Sequence, residues 1–122
     1  MVLGRLSRRD VGRDAESRVD RAARRRGWRR VARNFNVRGG ELDLVYRTAD
    51  MLVVVEVRYR SRDDYGGAVA SVTSAKQRRI VHATRHLLTT HPEYAELAVR
   101  FDVVGVNDSD TLNWIENAFY AE

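Results

Sequence analysis

The sequence predicts one α/β domain in which helices lie around a single β-sheet. Two segments, 15–23 and 80–88, place apolar residues at the spacing of an amphipathic helix, and residues from 41 onward alternate as strands do. The length of 122 residues, 43% of them apolar, matches one hydrophobic core. The elements follow the order helix, three strands, helix, strand (αβββαβ), with a short further strand at the end.

The first helix is expected to begin at Asp14, whose carboxylate can cap it, and to end at Gly27. Glu16 lies at the edge of its apolar stripe. Residues 1–12 are interpreted as a basic tail and residues 13–122 as the folded domain. A short strand or extended connection is expected next, around Trp28, Val31 and Phe35.

A hairpin is predicted from Glu41 onward, with a two-residue turn at Ala49-Asp50. In the register that pairs apolar residues best, Leu44 faces Val55. The same register places Asp43 opposite Glu56 and Glu41 opposite Arg58.

The next segment, residues 61–73, has the glycines and aspartates of a loop. Ser74 and Gln77 then form a capping-box pattern that opens a second helix, and Pro92 is expected to stop it. Residues 99–106 fit a strand, and residues 111–115 can add a short one.

Several function classes are excluded by composition. The chain has no cysteine, so a disulfide framework, a thiol nucleophile and a cysteine-ligated zinc site are ruled out. His82, His86 and His91 lack the glutamate and further ligands of a zinc motif and are expected on the surface. Arginines follow directly after residue 3 and the longest aliphatic run covers only residues 51–55, so we expect a cytoplasmic protein with no membrane partner.

Positive charge is concentrated at the start of the chain. Residues 5–33 hold twelve arginines against four carboxylates, so this segment is more basic than the whole chain, whose formal net charge is +5. Such a segment suits a polyanion, although a charge run alone favours a solvated helix face. The same two interpretations apply to Lys76, Arg78 and Arg79, which open the second helix and could hold backbone phosphates.

The hairpin carries the strongest chemical signal. Two carboxylates facing each other on neighbouring strands repel unless a positive group lies between them. For Asp43 and Glu56 that group is either a divalent cation, which takes carboxylate oxygens, or Arg58, which would pair with Glu41 and Glu56 in a structural ion cluster. The residues of the hairpin alone leave both open.

The chain also resembles a known family. The pattern consists of Glu16 in a first helix, then Gly40-Glu41-x-Asp43-Leu44, then Val55-Glu56-Val57-Arg58-x-Arg60. It is similar to the YraN family of small bacterial proteins, which resemble archaeal Holliday junction resolvases of the restriction-endonuclease-like superfamily with its PD-(D/E)xK signature. The likeness continues through Tyr65-Gly66, Val72, Lys76-Gln77-Arg78-Arg79, Arg100-Phe101-Asp102-Val103-Val104 and Asn117-Ala118-Phe119.

The resemblance implies a restriction-endonuclease-like core with a mixed central sheet, and it implies roles for particular residues. Asp43 and Glu56 would bind Mg²⁺ or Mn²⁺, with the Val57 carbonyl as a further ligand. Glu16 would be the helix-borne acid of the same site. Arg58 stands where the superfamily has a lysine, and an arginine stays protonated, so it cannot act as a general base.

The expected function is therefore that of a Mg²⁺-dependent endonuclease that acts on branched or structured DNA, with Glu16, Asp43, Glu56 and Arg58 at the catalytic centre. The resemblance alone implies that the protein could also pair as a homodimer, as resolvase-like relatives do. Two alternatives remain. One is a DNA- or RNA-binding module that keeps the nuclease scaffold without turnover. The other is an adaptor protein whose acidic cluster is structural and whose basic helices bind an acidic partner.

Overall fold

The computed structural model describes residues 8–60, 65–109 and 111–121. These residues form three α-helices, five strands and a 3₁₀ turn. The helices are α1 (Arg8–Arg25), α2 (Tyr65–Ala70) and α3 (Ser74–Thr90), the strands are β1 (Arg29–Val37), β2 (Gly40–Arg47), β3 (Met51–Tyr59), β4 (Ala98–Val106) and β5 (Leu112–Phe119), and the 3₁₀ turn is Pro92–Tyr94. Among the described residues, no helix has both the length and the apolar character needed to cross a bilayer.

The strands form one mixed sheet in the order β1-β2-β3-β4-β5. Neighbours are antiparallel except for β3 and β4, which run parallel. A parallel pair needs a long crossover, and here α2 and α3 lie between the two strands in the chain. The predicted α/β architecture, with a central mixed sheet flanked by helices, is confirmed.

The two faces of the sheet are covered by different helices. Ala15, Val19 and Ala23 of α1 are buried against one apolar cluster of the sheet. The buried residues of α3, among them Ile80 and Leu87, pack into a second cluster on the other face. Burial of each such aliphatic side chain contributes roughly 1.5–3 kcal/mol, so both helices are held mainly by these stripes.

Helix α1 ends as predicted but begins earlier. Gly27 has φ +84°, its N–H donates to the Arg24 carbonyl, and the Trp28 N–H donates to the Ala23 carbonyl. This hydrogen-bond pattern and the left-handed glycine form a Schellman ending. The expected start at Asp14 is wrong, because α1 already begins at Arg8.

The earlier start has a sequence cause. Val11 is half-buried and precedes Ala15 and Val19 at the same four-residue spacing, so the apolar stripe extends one turn before Asp14. Of the interpreted tail, residues 8–12 belong to α1, and residues 1–7 lie outside the described residues.

The hairpin register is confirmed at its turn end. Leu44 pairs with Val55, and the Thr48 N–H donates to the Met51 carbonyl around the turn at Ala49-Asp50.

The segment before α3 departs from the expected loop. The short helix α2 lies within it, while residues 61–64 lie outside the described residues. The cap of α3 is Thr73 and not Ser74, because the Thr73 hydroxyl accepts the Lys76 N–H. Gln77 donates its side-chain amide to the Val72 carbonyl and so forms no capping box with Ser74. The helix ends before Pro92, as expected.

Candidate functional site

The site begins where β2 and β3 separate. Their backbone pairing ends at Leu44 and Val55. Side chains two residues apart on a regular strand share a face, yet Leu42 packs on the α3 side and Leu44 on the α1 side. The alternation therefore breaks at Asp43.

At this break a side chain of β2, and not its backbone, accepts a hydrogen bond from β3. Asp43 Oδ2 accepts the N–H of Val57 at 2.9 Å. The break also corrects one prediction, because Arg58 does not pair with Glu41. Arg58 Nη2 instead lies 2.9 Å from Glu56 Oε1, and both side chains are largely buried.

Asn34 is a residue of this region that sequence reasoning missed. It has φ +51° and lies between two β1 residues, Arg33 and Phe35, whose β2 partners flank Asp43. Asparagine adopts this left-handed conformation more readily than most residues. Its side chain also helps to keep the pKa of Glu16 from rising further. The available signal was an asparagine in the middle of a strand.

The predicted acids come together in one open cavity of about 550 Å³. Glu16 reaches it from α1, Asp43 from β2, and Glu56, Val57 and Arg58 from β3. The cavity is therefore built by three elements that are distant in sequence.

Two of the three predicted basic residues also line this cavity. Lys76 and Arg79 reach its rim from α3. Arg78 does not, because it faces two neighbouring grooves on the other side of the helix.

Gly40 allows α3 to approach the site. A Cβ atom at this position would lie 2.3 Å from the Arg79 carbonyl oxygen and 3.1 Å from the Ala83 Cβ. The absence of a side chain thus lets α3 pack directly on the start of β2. The sequence indicated only that Gly39 and Gly40 interrupt the chain.

Burial and mutual repulsion raise the pKa values of all three acids. Burial, followed by the charge of Asp43, raises the pKa of Glu56 from 4.5 to about 8, although Arg58 opposes the shift. Burial also raises the pKa of Asp43, against the opposing effects of the Val57 N–H and Arg58. The pKa of Glu16 rises through burial and through the charge of Asp43. Burial and repulsion from neighbouring acids therefore make the carboxyl groups of Asp43 and Glu56 harder to ionise than ordinary acids.

Two buried polar atoms of the site have no hydrogen-bond partner among the described residues. They are Glu16 Oε1 and Arg58 Nε. Arg33 Nε lies 3.5 Å from Glu16 Oε1, close enough for an ion pair only. An unsatisfied buried polar group costs about 1–3 kcal/mol, so both atoms are available to a polar ligand entering the cavity.

The donor set suits a hard cation. Asp43 and Glu56 offer carboxylate oxygens, and Mg²⁺ commonly takes one or two carboxylates together with waters and substrate phosphate. Within the described residues, no group of three or more His, Cys, Asp or Glu side chains is arranged to hold a metal ion. The residues thus fit the sparse ligand set of a magnesium site and not a closed, all-protein one.

The remaining candidates have structural roles or lie on the surface. His82 and His86 are exposed, as expected, and their rings contact each other at 4.7 Å. Trp28 and Trp114 pack edge to face at 5.6 Å. Asp102 is fully buried and pairs locally with Arg100 at 2.9 Å.

Comparison with known proteins identifies the family. Residues 15–106 match the model of a family described as "Uncharacterised protein family UPF0102". A UPF0102 protein of Alcanivorax borkumensis is 45% identical over 120 residues, which cover 95% of this chain and 96% of that protein. UPF0102 proteins of Dechloromonas aromatica and Aeromonas hydrophila are 50% and 47% identical, over 91% and 88% of this chain and 89% and 83% of theirs. The chain therefore belongs to the UPF0102 family, which is the YraN family of the sequence resemblance.

Proposed function

We propose that this protein is a cytoplasmic DNA-binding enzyme that hydrolyses phosphodiester bonds in branched or structured DNA with the help of Mg²⁺ or Mn²⁺. The observation that carries the proposal is that half-buried Asp43 and buried Glu56 line the same open cavity, which is rimmed by Lys76 and Arg79. The negative charge of the two acids is best balanced by a cation, which can also bind the phosphate that the rim attracts.

Asp43 and Glu56 would hold the cation, with the Val57 carbonyl as a further ligand. Asp43 Oδ2 already accepts the Val57 N–H, which fixes the orientation of the carboxylate. A bound divalent cation lowers the pKa of a water ligand and stabilises negative charge on phosphate.

The basic residues have separate roles. Lys76 and Arg79 bind the phosphates of the strand that enters the cavity. Arg58 remains positively charged throughout, so it stabilises charge on the phosphoryl oxygens and does not remove a proton.

Glu16 is the acid left to accept a proton. Its raised pKa makes it a better base than an ordinary glutamate, and its Oε1 has no hydrogen-bond partner among the described residues. The water oxygen attacks phosphorus, its proton passes to Glu16, and the bond to the departing strand oxygen breaks.

A second candidate function is nucleic-acid binding without cleavage. It is favoured by the Arg58–Glu56 ion pair, which occupies one oxygen of a metal-binding carboxylate. In that case Arg58 supplies the positive charge that the acids need, and the cavity binds phosphate through its basic rim alone.

The test is cleavage of branched, flapped and linear DNA with Mg²⁺ or Mn²⁺ by the parent protein and by Glu56→Gln. We expect cleavage by the parent and none by the variant, which keeps the shape and hydrogen-bonding capacity of the side chain. Cleavage that persists undiminished in Glu56→Gln would overturn the assignment of the site. Binding without cleavage by the parent would favour the second candidate.

A further inference from the structure

Helix α3 is basic on more than one side. Its seventeen residues include one lysine, three arginines and no acidic residue. Lys76 and Arg79 face the acidic cavity. Arg78 and Arg85, which are exposed, face away from it. The proposed catalytic site accounts for only half of this charge.

Arg78 and Arg85 line a second cavity, here called the Tyr120 groove. It lies between α3 and the end of β5 and has a volume of about 580 Å³, with an adjoining space of about 390 Å³ that shares Arg85, Phe119 and Tyr120. Tyr120 is 69% exposed and is the one exposed large hydrophobic side chain within the described part of the chain. The groove thus combines two exposed arginines, which form no ion pair with the described residues, with an aromatic ring open to solvent.

The aromatic residues of the groove are held in place. Phe119 is buried and stacks on Phe101, with ring centroids 4.9 Å apart and an interplanar angle of 17°. Asn117 donates its side-chain amide to the Tyr120 hydroxyl at 3.0 Å. The Asn117 N–H in turn donates to buried Asp102, in a bulge of β5 where Asn117 has φ +54°. Tyr120 therefore projects from an ordered bulge.

A continuous basic surface joins the two cavities. Arg79 lines both the acidic cavity and a shallow groove that contains Arg78 and His82. Arg78 lines both that shallow groove and the Tyr120 groove. No acidic residue lines the shallow groove or the Tyr120 groove in the described ranges. A polyanion could follow this surface from one cavity to the other without meeting a carboxylate of the described residues.

We propose that the Tyr120 groove binds unpaired nucleotides of the strand that enters the acidic cavity. Arg78 and Arg85 are seven residues apart, roughly 10 Å along the helix axis, and bind backbone phosphates. Tyr120 stacks on a base. The inference rests on the proposed function only in that its ligand is nucleic acid, and it makes the preferred substrate a junction of paired and single-stranded DNA.

An exposed aromatic ring distinguishes single strands from duplexes. In a duplex the base faces are covered by their neighbours, whereas a single strand offers a face to an aromatic side chain. Base–aromatic stacking is tolerant of sequence. The groove is therefore expected to recognise an unpaired strand without reading its bases.

The test is fluorescence polarisation with a labelled single-stranded oligonucleotide and a blunt duplex of the same sequence, in EDTA so that no cleavage occurs. Tyr120→Ala is expected to weaken single-strand binding about tenfold and to leave duplex binding unchanged. Tyr120→Phe, which keeps the ring, is expected to bind both ligands as the parent does. An unchanged melting temperature of each variant would show that the fold is intact.

A charge control separates stacking from general attraction. The double variant Arg78→Ala/Arg85→Ala should weaken single-strand binding more than the double variant Arg25→Ala/Arg29→Ala. The second variant removes the same charge from the end of α1 and the start of β1. The inference is overturned if Tyr120→Ala changes the affinity for both ligands alike or for neither of them. It is also overturned if polyglutamate displaces the single strand equally from the parent and from Tyr120→Ala.

Failure of the inference differs from failure of the proposed function. A parent protein that binds and cleaves duplex DNA but ignores unpaired strands overturns the groove assignment alone. A parent protein that binds no nucleic acid overturns both.

Discussion

Arg58 Nη2 lies 2.9 Å from Glu56 Oε1, and both side chains are largely buried on the same strand. This arginine therefore contacts one of the two acids proposed to hold a metal. This single cation does not neutralise the site, because burial and Asp43 still raise the pKa of Glu56 to about 8. The proposed metal would supply the missing charge.

The first prediction concerns pH. Glu56 has a pKa of about 8 in the folded protein and about 4.5 when unfolded, so between these values the folded state holds the extra proton. The free energy of unfolding in EDTA should therefore fall as pH rises from about 5 to about 8, by an amount on the order of 3 kcal/mol. Urea unfolding at pH 5.5 and pH 8.5 measures it.

Glu56→Gln is the matched control for this dependence, because the amide cannot ionise. We expect the free energy of unfolding of the variant to fall much less with rising pH, so that the variant is more stable than the parent at pH 8.5. A parent whose stability rises over the same interval would show that the acids are ionised and stabilised in the metal-free protein.

The second prediction concerns Gly40. Gly40→Ala would place a Cβ atom 2.3 Å from the Arg79 carbonyl oxygen, so α3 must move. We expect a loss of about 1–3 kcal/mol in the free energy of unfolding. Gly12→Ala is the control, since a Cβ there meets nothing within 4 Å and alanine favours the helix by up to about 1 kcal/mol. Equal stability of the two variants would mean that α3 does not pack on Gly40 this closely.

The hairpin and the end of α1 could be predicted because their signals are local. Apolar pairing set the register of Leu44 with Val55, and Gly27 supplied the left-handed residue that ends the helix. The break at Asp43 could not be predicted in this way. It depends on the left-handed Asn34 in the neighbouring strand and on two helices that cover opposite faces.

The direction of Arg78 was equally inaccessible. Arg78 and Arg79 are adjacent in sequence, and only the packing of α3 on Gly40 decides which of them faces the acids. Thr73 rather than Ser74 caps the helix for a similar reason. Both can cap, and the path of the chain after α2 selects between them.

The third prediction concerns salt. Lys76→Gln/Arg79→Gln should flatten the dependence of duplex affinity on salt, because each lost phosphate contact lowers the logarithmic slope by roughly 0.9. Polarisation measurements between about 50 and 200 mM salt test this. Arg25→Gln/Arg29→Gln removes the same charge far from the cavity and should change the slope less. A larger change in the slope for this control would show that the main phosphate contacts lie at the end of α1 and the start of β1.

The fourth prediction concerns Arg58→Lys. Lysine keeps a positive charge beside Glu56, and its pKa can fall near a bound metal, so it can help to deprotonate the attacking water. We expect faster Mn²⁺-dependent cleavage than in the parent, with a stability loss of about 1 kcal/mol or less. Cleavage rates and urea unfolding of both proteins measure these effects. An unchanged rate would contradict the prediction and show that a lysine at this position adds nothing to proton removal by Glu16.

Calorimetric titration of Mn²⁺ tests most directly the central claim that Asp43 and Glu56 bind a divalent cation. At pH 7 the parent should bind Mn²⁺ and release about one proton, seen as a dependence of the heat on the ionisation enthalpy of the buffer, because Glu56, whose pKa is about 8, must lose its proton to bind the metal. Asp43→Asn and Glu56→Gln should each abolish the binding. A parent that binds no Mn²⁺, or variants that bind it as the parent does, would contradict the claim and leave Arg58 as the partner of the acidic pair.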